Sequence, residues 1–254
     1  MNQETCFPET RIDTLSGDYI IYQPENGQRY CTDDMLVAWL ALRSIREGAV
    51  SAGRFLDLGS GLCAVPMIFL WGISQTTGCG IEISRERMLL GRKSLAANGL
   101  SERFHLIHGD IRSIFLNEKF SLITATPPYY MKKEGISSPN DDKALARFEV
   151  NGTIFDYFQS AAFHLDAGGA FITAYPFQYA QRVFAAAREQ EFYPDLRIDV
   201  IPRETKPPLI SLFSFLKGVK GRNASETLAV RNEDQSFTQE YKEVRRELGF
   251  KVSV

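Results

Sequence analysis

The chain has 254 residues, of which 44% are hydrophobic and 24% are charged, as is ordinary for a globular protein with one sizeable domain. A chain of this length buries a full apolar core, so its stability does not depend on bound metals or disulfides. The formal net charge of -2 excludes a strongly basic nucleic-acid-binding protein, and a nucleic-acid site would have to be a local patch.

The spacing of the cysteines and the length of the apolar runs indicate the cellular compartment of the protein and the kinds of cofactor that it can bind. The 4 cysteines include no C-x-x-C pair, which argues against a zinc cluster and a disulfide framework and favours a reducing compartment. No apolar run in the sequence approaches the roughly 18 to 20 residues of a transmembrane helix. We therefore expect a cytoplasmic protein without a metal site and without a membrane partner.

Short apolar runs alternate with helical patterns along the chain, which is typical of an α/β fold with a parallel sheet and crossover helices. Residues 1–50 are predicted to form an N-terminal extension with a small hairpin around Ile20 and a helix capped by Asp33 or Asp34. Residues 51–254 are predicted to form the main domain. The predicted strands are Arg54–Leu58, Cys79–Ile83, Phe104–His108, Leu122–Ala125, Ala170–Ala174, Leu196–Ile201, Leu209–Phe215 and a last one at Thr227–Arg231. The predicted helices are Met35–Arg46, Ala64–Trp71, Arg85–Asn98, Phe155–Phe163, Gln178–Glu189 and Thr238–Leu248, with Asn98-Gly99 and Ala167-Gly168-Gly169 as stop signals.

The first predicted strand of the main domain ends in a glycine turn, Asp57-Leu58-Gly59-Ser60-Gly61, that opens a helix. Glycine serves where the backbone approaches a ligand closely or adopts positive φ. The pattern is not G-x-G-x-x-G, and a carboxylate at Asp57 would repel a pyrophosphate, which disfavours a dinucleotide and a dehydrogenase. Asp57 would instead pair with a cationic amino group, as S-adenosylmethionine offers. A plain βα turn is the alternative interpretation.

Two further strands end in acidic residues. Glu82 and the adjacent Ile83 end the second strand of the main domain, where a carboxylate accepts hydrogen bonds from ribose hydroxyls. Asp110 and Ile111 follow the third strand and would contact an adenine amine and ring, although a turn aspartate is the plain alternative for Asp110. Ligands of open α/β sheets bind at this edge, so the three acidic positions together predict a nucleoside-like ligand.

The most informative segment is Thr126-Pro127-Pro128-Tyr129, directly after the predicted strand Leu122–Ala125. The prolines fix the backbone and remove two N–H donors, which aims the preceding carbonyl out of the sheet edge. Tyr129 offers a flat face for a planar target. Hydrogen bonds from a target amine to a carbonyl and a side-chain oxygen would make its nitrogen more tetrahedral and align it for methyl transfer. A proline-rich strand exit with a core tyrosine is the structural alternative.

In chain order, Asp57 to Gly61, Glu82, Asp110 and Thr126 to Tyr129 resemble the donor and catalytic motifs of class I S-adenosylmethionine-dependent amino-methyltransferases. The last motif resembles (N/D/S)-P-P-(Y/F). The flanking segments 30–36, 129–148 and 228–235 look like those of the bacterial enzymes that methylate adenine N6 beside the anticodon of a valine tRNA. The resemblance extends from about Ile20 to the end of the chain. It implies a Rossmann-like fold with a seven-stranded, mostly parallel sheet and helices on both faces.

The resemblance also implies roles for individual residues. The donor site would be formed by Asp57, Gly59 and Gly61 at the methionine part, Glu82 and Ile83 at the ribose, Asp110 and Ile111 at the adenine, and Thr32 and Asp33 closing over the donor. Thr126, Pro127, Pro128 and Tyr129 would form the target pocket. The expected substrate is RNA, with tRNA as the preferred class, and the expected state is a monomer or weak homodimer.

Two positions depart from the resembled pattern. Cys63 stands where the family usually has a third glycine, and we expect a tighter turn that still binds the donor. Thr126 stands where the family usually has asparagine, so the target amine is expected to lose an acceptor. Such a loss costs about 1–3 kcal/mol, or roughly one to two orders of magnitude in rate.

Two alternative functions fit the same motifs. The target could be a protein glutamine amide or an rRNA guanine amine, since similar motifs serve both. The chain could also bind the donor with weakened catalysis because of Thr126.

Basic residues after Tyr130 and after the seventh strand either contact RNA phosphates or are ordinary solvated side chains; they are Lys132, Lys133, Lys217, Lys220 and Arg222.

Overall fold

The computed structural model describes residues 9–129 and 152–252. The strands are β1 Thr10–Thr14, β2 Ile20–Pro24, β3 Phe55–Leu58, β4 Gly78–Glu82, β5 Phe104–His108, β6 Phe120–Ala125, β7 Leu165–Pro176, β8 Phe192–Ile201, β9 Ile210–Lys217 and β10 Ala224–Ala229. The helices are α1 Thr32–Arg46, α2 Ala64–Gly72, α3 Arg85–Ala97, α4 Ile154–His164, α5 Ala180–Glu189 and α6 Gln239–Glu247, with a 3-10 turn at Phe177–Tyr179.

The central sheet has the strand order β10-β8-β9-β7-β6-β3-β4-β5. Every strand runs in one direction except β9, which is antiparallel to both β7 and β8. The predicted mostly parallel α/β fold is confirmed, but the predicted count of seven strands is wrong because the sheet has 8. The eighth strand is β10, which overlaps the last predicted strand at Thr227–Arg231 and pairs in parallel with β8 inside the same sheet.

The sheet is covered by helices on both faces, which explains why its central strands are apolar without alternation. Every residue of β3 and of β4 is buried. On one face, α1, α2, α3 and α6 pack against side chains such as Phe55 and Leu122. On the other face, α4 and α5 pack against Leu56, Leu58 and Phe171.

The chain leaves β3 in one direction, toward β4 and β5, and then returns to β6 on the other side of β3. This reversal makes the carboxyl ends of β3 and β6 a topological switch point, where the connections diverge and leave a crevice. The fold therefore places the turn after β3 beside the segment after β6.

Some local predictions differ from the structure. The N-cap of α1 is Cys31, and Asp34 at the third helical position accepts the Cys31 backbone N–H over 2.9 Å, so neither predicted aspartate is the N-cap itself. Ala167-Gly168-Gly169 does not end a helix: α4 already ends at His164, and the glycines lie in β7 where its register with β6 shifts. Gly168 has a φ of +76°, as a bulge favours.

The N-terminal residues contain the predicted hairpin and helix. β1 and β2 pair antiparallel, and α1 buries Leu36, Val37 and Leu40 in the same cluster as the sheet. The division into an extension at 1–50 and a domain at 51–254 stays a prediction. Within residues 9–129 and 152–252, no helix combines the length and the apolar character that crossing a membrane would require.

Candidate active site

A cavity of about 590 Å³ lies at the carboxyl ends of β3, β4, β5 and β6. It brings together residues from the loops that follow these strands, from α1 and the segment before it, from α4 and from the start of β9. All of the sequence-predicted site residues line it: Thr32, Asp33, Asp57, Gly59, Gly61, Glu82, Ile83, Asp110, Ile111, Thr126, Pro127, Pro128 and Tyr129. The structure thus joins the predicted donor residues and the predicted target residues in one space.

The turn after β3 has a backbone that favours glycine. Gly59 has a φ of +73° and Gly61 a φ of +53°. The backbone N–H groups of Gly59 and Ser60 both donate to the carbonyl of Ile81, at 2.9 and 3.0 Å. A Cβ at position 59 would lie 2.8 Å from Tyr157 Oη, so space as well as conformation restricts this position.

Cys63 precedes α2 with a φ of +67°, the left-handed conformation that glycine adopts without strain. Its side chain is buried, and a Cβ at Gly91 of α3 would lie 2.9 Å from its Sγ. The thiol therefore fills the contact between the turn and α3. Burial raises the pKa of this thiol, so it stays protonated and serves in packing.

Glu82 connects the turn after β3 with the start of α3. One carboxylate oxygen accepts the Gly61 N–H over 2.6 Å, and the other accepts the Ser84 N–H over 2.7 Å. Ser84 is the N-cap of α3, where its hydroxyl accepts from the Arg87 N–H over 3.3 Å. The buried carboxylate thus sets the geometry of two elements that line the cavity.

Asp57 is a buried carboxylate at the end of β3. Its Oδ1 accepts from the Thr124 hydroxyl over 2.6 Å. The pKa of Asp57 is raised to about 7, chiefly by burial and also by the charges of Asp34 and Glu82, although hydrogen bonds from Thr124 and Ser60 act to lower it. A buried acid with a neutral-range pKa favours a cationic partner, because a nearby positive charge restores its ionised form.

Asp110 has a structural role in addition to its place at the cavity. Its Oδ1 accepts the Arg112 backbone N–H over 2.9 Å, which forms a turn. Hydrogen bonds from the Arg112 side chain also lower the pKa of Asp110. Ile111 is buried beside it in the cluster that includes Phe158. Asp110 therefore does act as a turn aspartate, and its contact with an adenine stays a prediction.

The segment after β6 positions the predicted target residues. Thr126 Oγ1 donates to Asp34 Oδ1 over 2.9 Å, although the two residues are 92 positions apart. The Tyr129 ring is partly buried and meets the Tyr175 ring edge-on, with centroids 6.2 Å apart. The cavity therefore has a polar acceptor region and an aromatic face next to each other.

Three of the cavity-lining residues that sequence reasoning missed lie directly against predicted site residues. Asp34 reaches Thr126 from α1, Tyr157 of α4 lies behind Gly59, and Arg87 of α3 lies beside Gly61. The Nε atom of Arg87 is buried and has no hydrogen-bond partner among the described residues. No local pattern marks these positions, because each belongs to an element that reaches the site through long-range packing.

Of the basic residues that the sequence offered for RNA contact, Lys217 and Arg222 do not line the cavity. β9 begins at Ile210, which lines the cavity, and ends at Lys217. Because β9 is antiparallel to its neighbours, Lys217 lies at the end of the sheet where the parallel strands begin, away from the cavity. There Lys217 Nζ donates to the carbonyl of Leu165 over 2.8 Å. Arg222 forms salt bridges with Asp195 and Glu47, at 2.8 Å each, and Lys220 lies in the loop between β9 and β10. Lys132 and Lys133 lie outside the described residues.

The arrangement favours a cationic nucleoside ligand. Five carboxylates line one cavity, while the glycine turn leaves its backbone open to close approach; they are Asp33, Asp34, Asp57, Glu82 and Asp110. The cavity volume of about 590 Å³ is in the range of small-molecule and cofactor sites. Ile83 and Ile111 give it apolar walls.

Comparison with known proteins agrees with the resemblance noted in the sequence. No protein-family model matches the chain. The chain is 24% identical over 231 residues to a tRNA1(Val) (adenine(37)-N6)-methyltransferase of Bacteroides thetaiotaomicron, with 90% of this chain and 93% of that protein covered. It is 23% identical over 214 residues to the protein of the same name from Escherichia fergusonii, with 83% of each covered.

Solved structures share the fold. A predicted O-methyltransferase from Agrobacterium tumefaciens superposes with a TM-score of 0.65 at 18% identity, covering 87% of this chain and 99% of that one. A putative class I S-adenosylmethionine-dependent methyltransferase from Listeria monocytogenes gives a TM-score of 0.55 at 17% identity, covering 85% and 69%. The chain therefore has the fold of class I S-adenosylmethionine-dependent methyltransferases and is, over most of its length, a homologue of proteins named tRNA1(Val) (adenine(37)-N6)-methyltransferase.

Proposed function

We propose that this protein transfers the methyl group of S-adenosylmethionine to N6 of an adenine in tRNA. The observation that carries the proposal is the single cavity at the switch point, which the donor residues around Asp57 and the target residues Thr126 to Tyr129 line together. The names of the homologues support the same reaction and the same substrate class.

The donor side of the cavity matches the chemistry of S-adenosylmethionine. Asp57 faces the cationic end of the donor's methionine part, and Glu82 accepts from the ribose hydroxyls. Arg87, with its unpartnered buried Nε, binds the donor carboxylate beside Gly61. Asp110 and Ile111 hold the adenine, and Thr32 and Asp33 close over the donor.

The target side needs neither a metal nor a covalent nucleophile. Adenine N6 is a weak nucleophile because its lone pair is delocalised into the ring. Hydrogen bonds to the Thr126 oxygen and to a backbone carbonyl of the Pro127-Pro128 segment localise the lone pair, and alignment with the sulfonium supplies the remaining rate. Tyr129 stacks on the adenine, which must leave its helical stack to reach the cavity.

The RNA surface lies at the same edge of the sheet as the cavity. Leu209 is 65% exposed and lines the cavity rim, and Lys206 is exposed in the same loop between β8 and β9. Arg29 is exposed and also lines the cavity. These positions offer phosphate contacts and an apolar contact beside the target pocket. The cytoplasmic location and the monomer or weak homodimer remain predictions.

The test is transfer of labelled methyl groups from S-adenosylmethionine to purified tRNA, total RNA and total protein. We expect ribonuclease-sensitive label in tRNA that is recovered as N6-methyladenosine. Protease-sensitive label would move the target to an amide, and label on guanine would move it to another base. Donor binding without label in any fraction would contradict the enzymatic proposal and favour a binding role.

Donor binding should weaken as the pH falls. In the donor-free protein the pKa of Asp57 is raised to about 7, so the stability contributed by this group is complete below its ordinary pKa of about 3.9 and is lost as the pH rises through 7. Donor affinity changes with pH in the opposite direction to this stability, because the donor ammonium requires the ionised carboxylate. Below pH 7 we expect affinity for S-adenosylhomocysteine to fall by up to about tenfold per pH unit.

Calorimetry between pH 5.5 and 8 measures this dependence, and the heat in buffers of different ionisation enthalpy reports the released proton. Asp57→Asn should bind more weakly and lose the slope, because it has no carboxyl proton to release. A wild-type affinity that is constant over this range would contradict the assignment of Asp57 to the donor cation.

A further inference from the structure

One hydrogen bond joins the target motif to the N-terminus of α1. Thr126 Oγ1 donates to Asp34 Oδ1 over 2.9 Å, and both residues line the cavity. The other carboxylate oxygen of Asp34 accepts the Cys31 backbone N–H over 2.9 Å, which fixes the carboxylate in place. A hydroxyl has one proton and two lone pairs, so a threonine that donates its proton to Asp34 has only lone pairs left for a further partner.

We propose that Asp34 is a positioning residue that makes the Thr126 oxygen the acceptor for the target amine, in place of the asparagine carbonyl of the resembled motif. This inference rests on the proposed function. A hydroxyl without such a partner donates as readily as it accepts, and a donated proton would occupy the nitrogen lone pair that must attack the sulfonium. A bond to a carboxylate is about twice as strong as a neutral one and prevents this orientation.

The pair also gives the departing proton a route. The N6 lone pair forms the new N–C bond while the S–C bond breaks, and that bonding pair stays on sulfur, which becomes a neutral thioether. The positively charged nitrogen then passes one proton to the Thr126 oxygen, whose own hydroxyl proton moves to Asp34. The protonated Asp34, which is only partly buried, releases the proton to water.

Several ionisable groups surround Asp34 and set the pH at which it acts. The pKa of Asp34 is raised to about 6, chiefly by burial and also by the charge of Asp33, whereas the Cys31 N–H, the Thr126 hydroxyl and the charge of Arg87 act to lower it. The facing titratable or charged groups are Asp33 and Cys31 at the start of α1, Tyr30 before it, Asp57 after β3 and Arg87 on α3. Because only the ionised carboxylate accepts the hydroxyl proton, kcat should fall as the pH falls through about 6.

The experiment is a double-mutant cycle on tRNA methylation with Asp34→Asn, Thr126→Val and the double variant, at saturating donor so that Asp57 is ionised throughout. We expect each single variant to lower kcat by about tenfold to a hundredfold, with smaller changes in the KM for tRNA. The double variant should be no slower than the worse single one, because both residues act through one interaction. The acid limb of the pH profile, which is the fall of kcat below about pH 6, should disappear in Asp34→Asn.

A second background separates positioning from a general structural role. In Thr126→Asn, the amide carbonyl accepts without a carboxylate partner, so adding Asp34→Asn should change kcat by less than about threefold. Glu86→Gln removes an exposed carboxylate from the first turn of α3 and controls for the loss of a helix-end charge. We expect it to keep the wild-type rate and pH profile.

The outcomes distinguish this inference from the proposed function. Wild-type kcat and an unchanged acid limb in Asp34→Asn would overturn the inference while tRNA methylation itself stands. Absence of transfer by the wild type would overturn the proposed function and the inference with it. Should Asp34→Asn fail to fold, Thr126→Asn decides alone: an acid limb near pH 6 that persists in this variant would overturn the inference.

Discussion

Replacing Glu82 with alanine is expected to weaken S-adenosylmethionine binding by about a hundredfold or more, the largest effect that we predict for a single side chain. The variant leaves the N–H groups of Gly61 and Ser84 without their acceptor, and each unsatisfied buried group costs about 1–3 kcal/mol. It also removes the proposed acceptor for the ribose hydroxyls. Isothermal calorimetry with S-adenosylmethionine or S-adenosylhomocysteine measures the change.

Glu82→Gln is the matched variant, because its amide keeps the size of the side chain and one acceptor oxygen. We expect an intermediate loss of about tenfold to thirtyfold, since one backbone N–H then faces an NH2 group. Glu86→Ala removes an exposed glutamate four positions away and should bind as the wild type does. Full donor affinity in folded Glu82→Ala would show that the donor lies elsewhere.

Tyr129→Ala is expected to lower kcat/KM for tRNA methylation by about tenfold to a hundredfold while donor affinity changes by less than twofold. Stacking of a base on an aromatic side chain contributes about 1–3 kcal/mol per base, and the alanine removes that face. Its neighbour Tyr175 is buried and meets Tyr129 only edge-on, so it does not replace the lost face. Steady-state kinetics with tRNA and calorimetry with the donor separate the two quantities.

Tyr129→Phe retains the ring and should keep at least about half of the wild-type kcat/KM, because the phenol hydroxyl has no assigned part in stacking. Tyr193→Ala is the control for removing a partly exposed tyrosine, since Tyr193 is 40% exposed and pairs with Leu216 near the opposite edge of the sheet. A Tyr129→Ala variant that methylates tRNA at the wild-type rate would exclude Tyr129 from the target pocket.

Local sequence patterns were sufficient for most of the secondary structure. The strand Phe104–His108 has the predicted bounds, and the helix over Ala64–Gly72 extends the prediction by one residue. These elements are encoded by short apolar runs and by turns that need glycine, so neighbouring residues contain the information. The prediction of a helix stop at the glycine bulge of β7 is wrong, because a helix end and a β-bulge both use glycine at positive φ.

The site motifs were also predictable, since they follow successive parallel strands whose carboxyl ends meet at one edge. Asp57, Glu82, Asp110 and Thr126 each come at or just after such a strand end, and the structure places all four around one cavity. Their individual roles in binding and catalysis remain proposals. The resemblance to a methyltransferase family added the identity of the donor, which the spacing alone left open.

The order of strands and helices, the glycine turn and the segment that carries the target motif were predictable, because each depends on residues close together in the chain. The three-dimensional fold, in contrast, decided the direction of β9, which moves Lys217 away from the cavity. It also decided the bond between Asp34 and Thr126, which are 92 positions apart. Both features depend on how the sheet pairs and on which helix faces are buried, and such long-range packing leaves no signature in a local window of sequence.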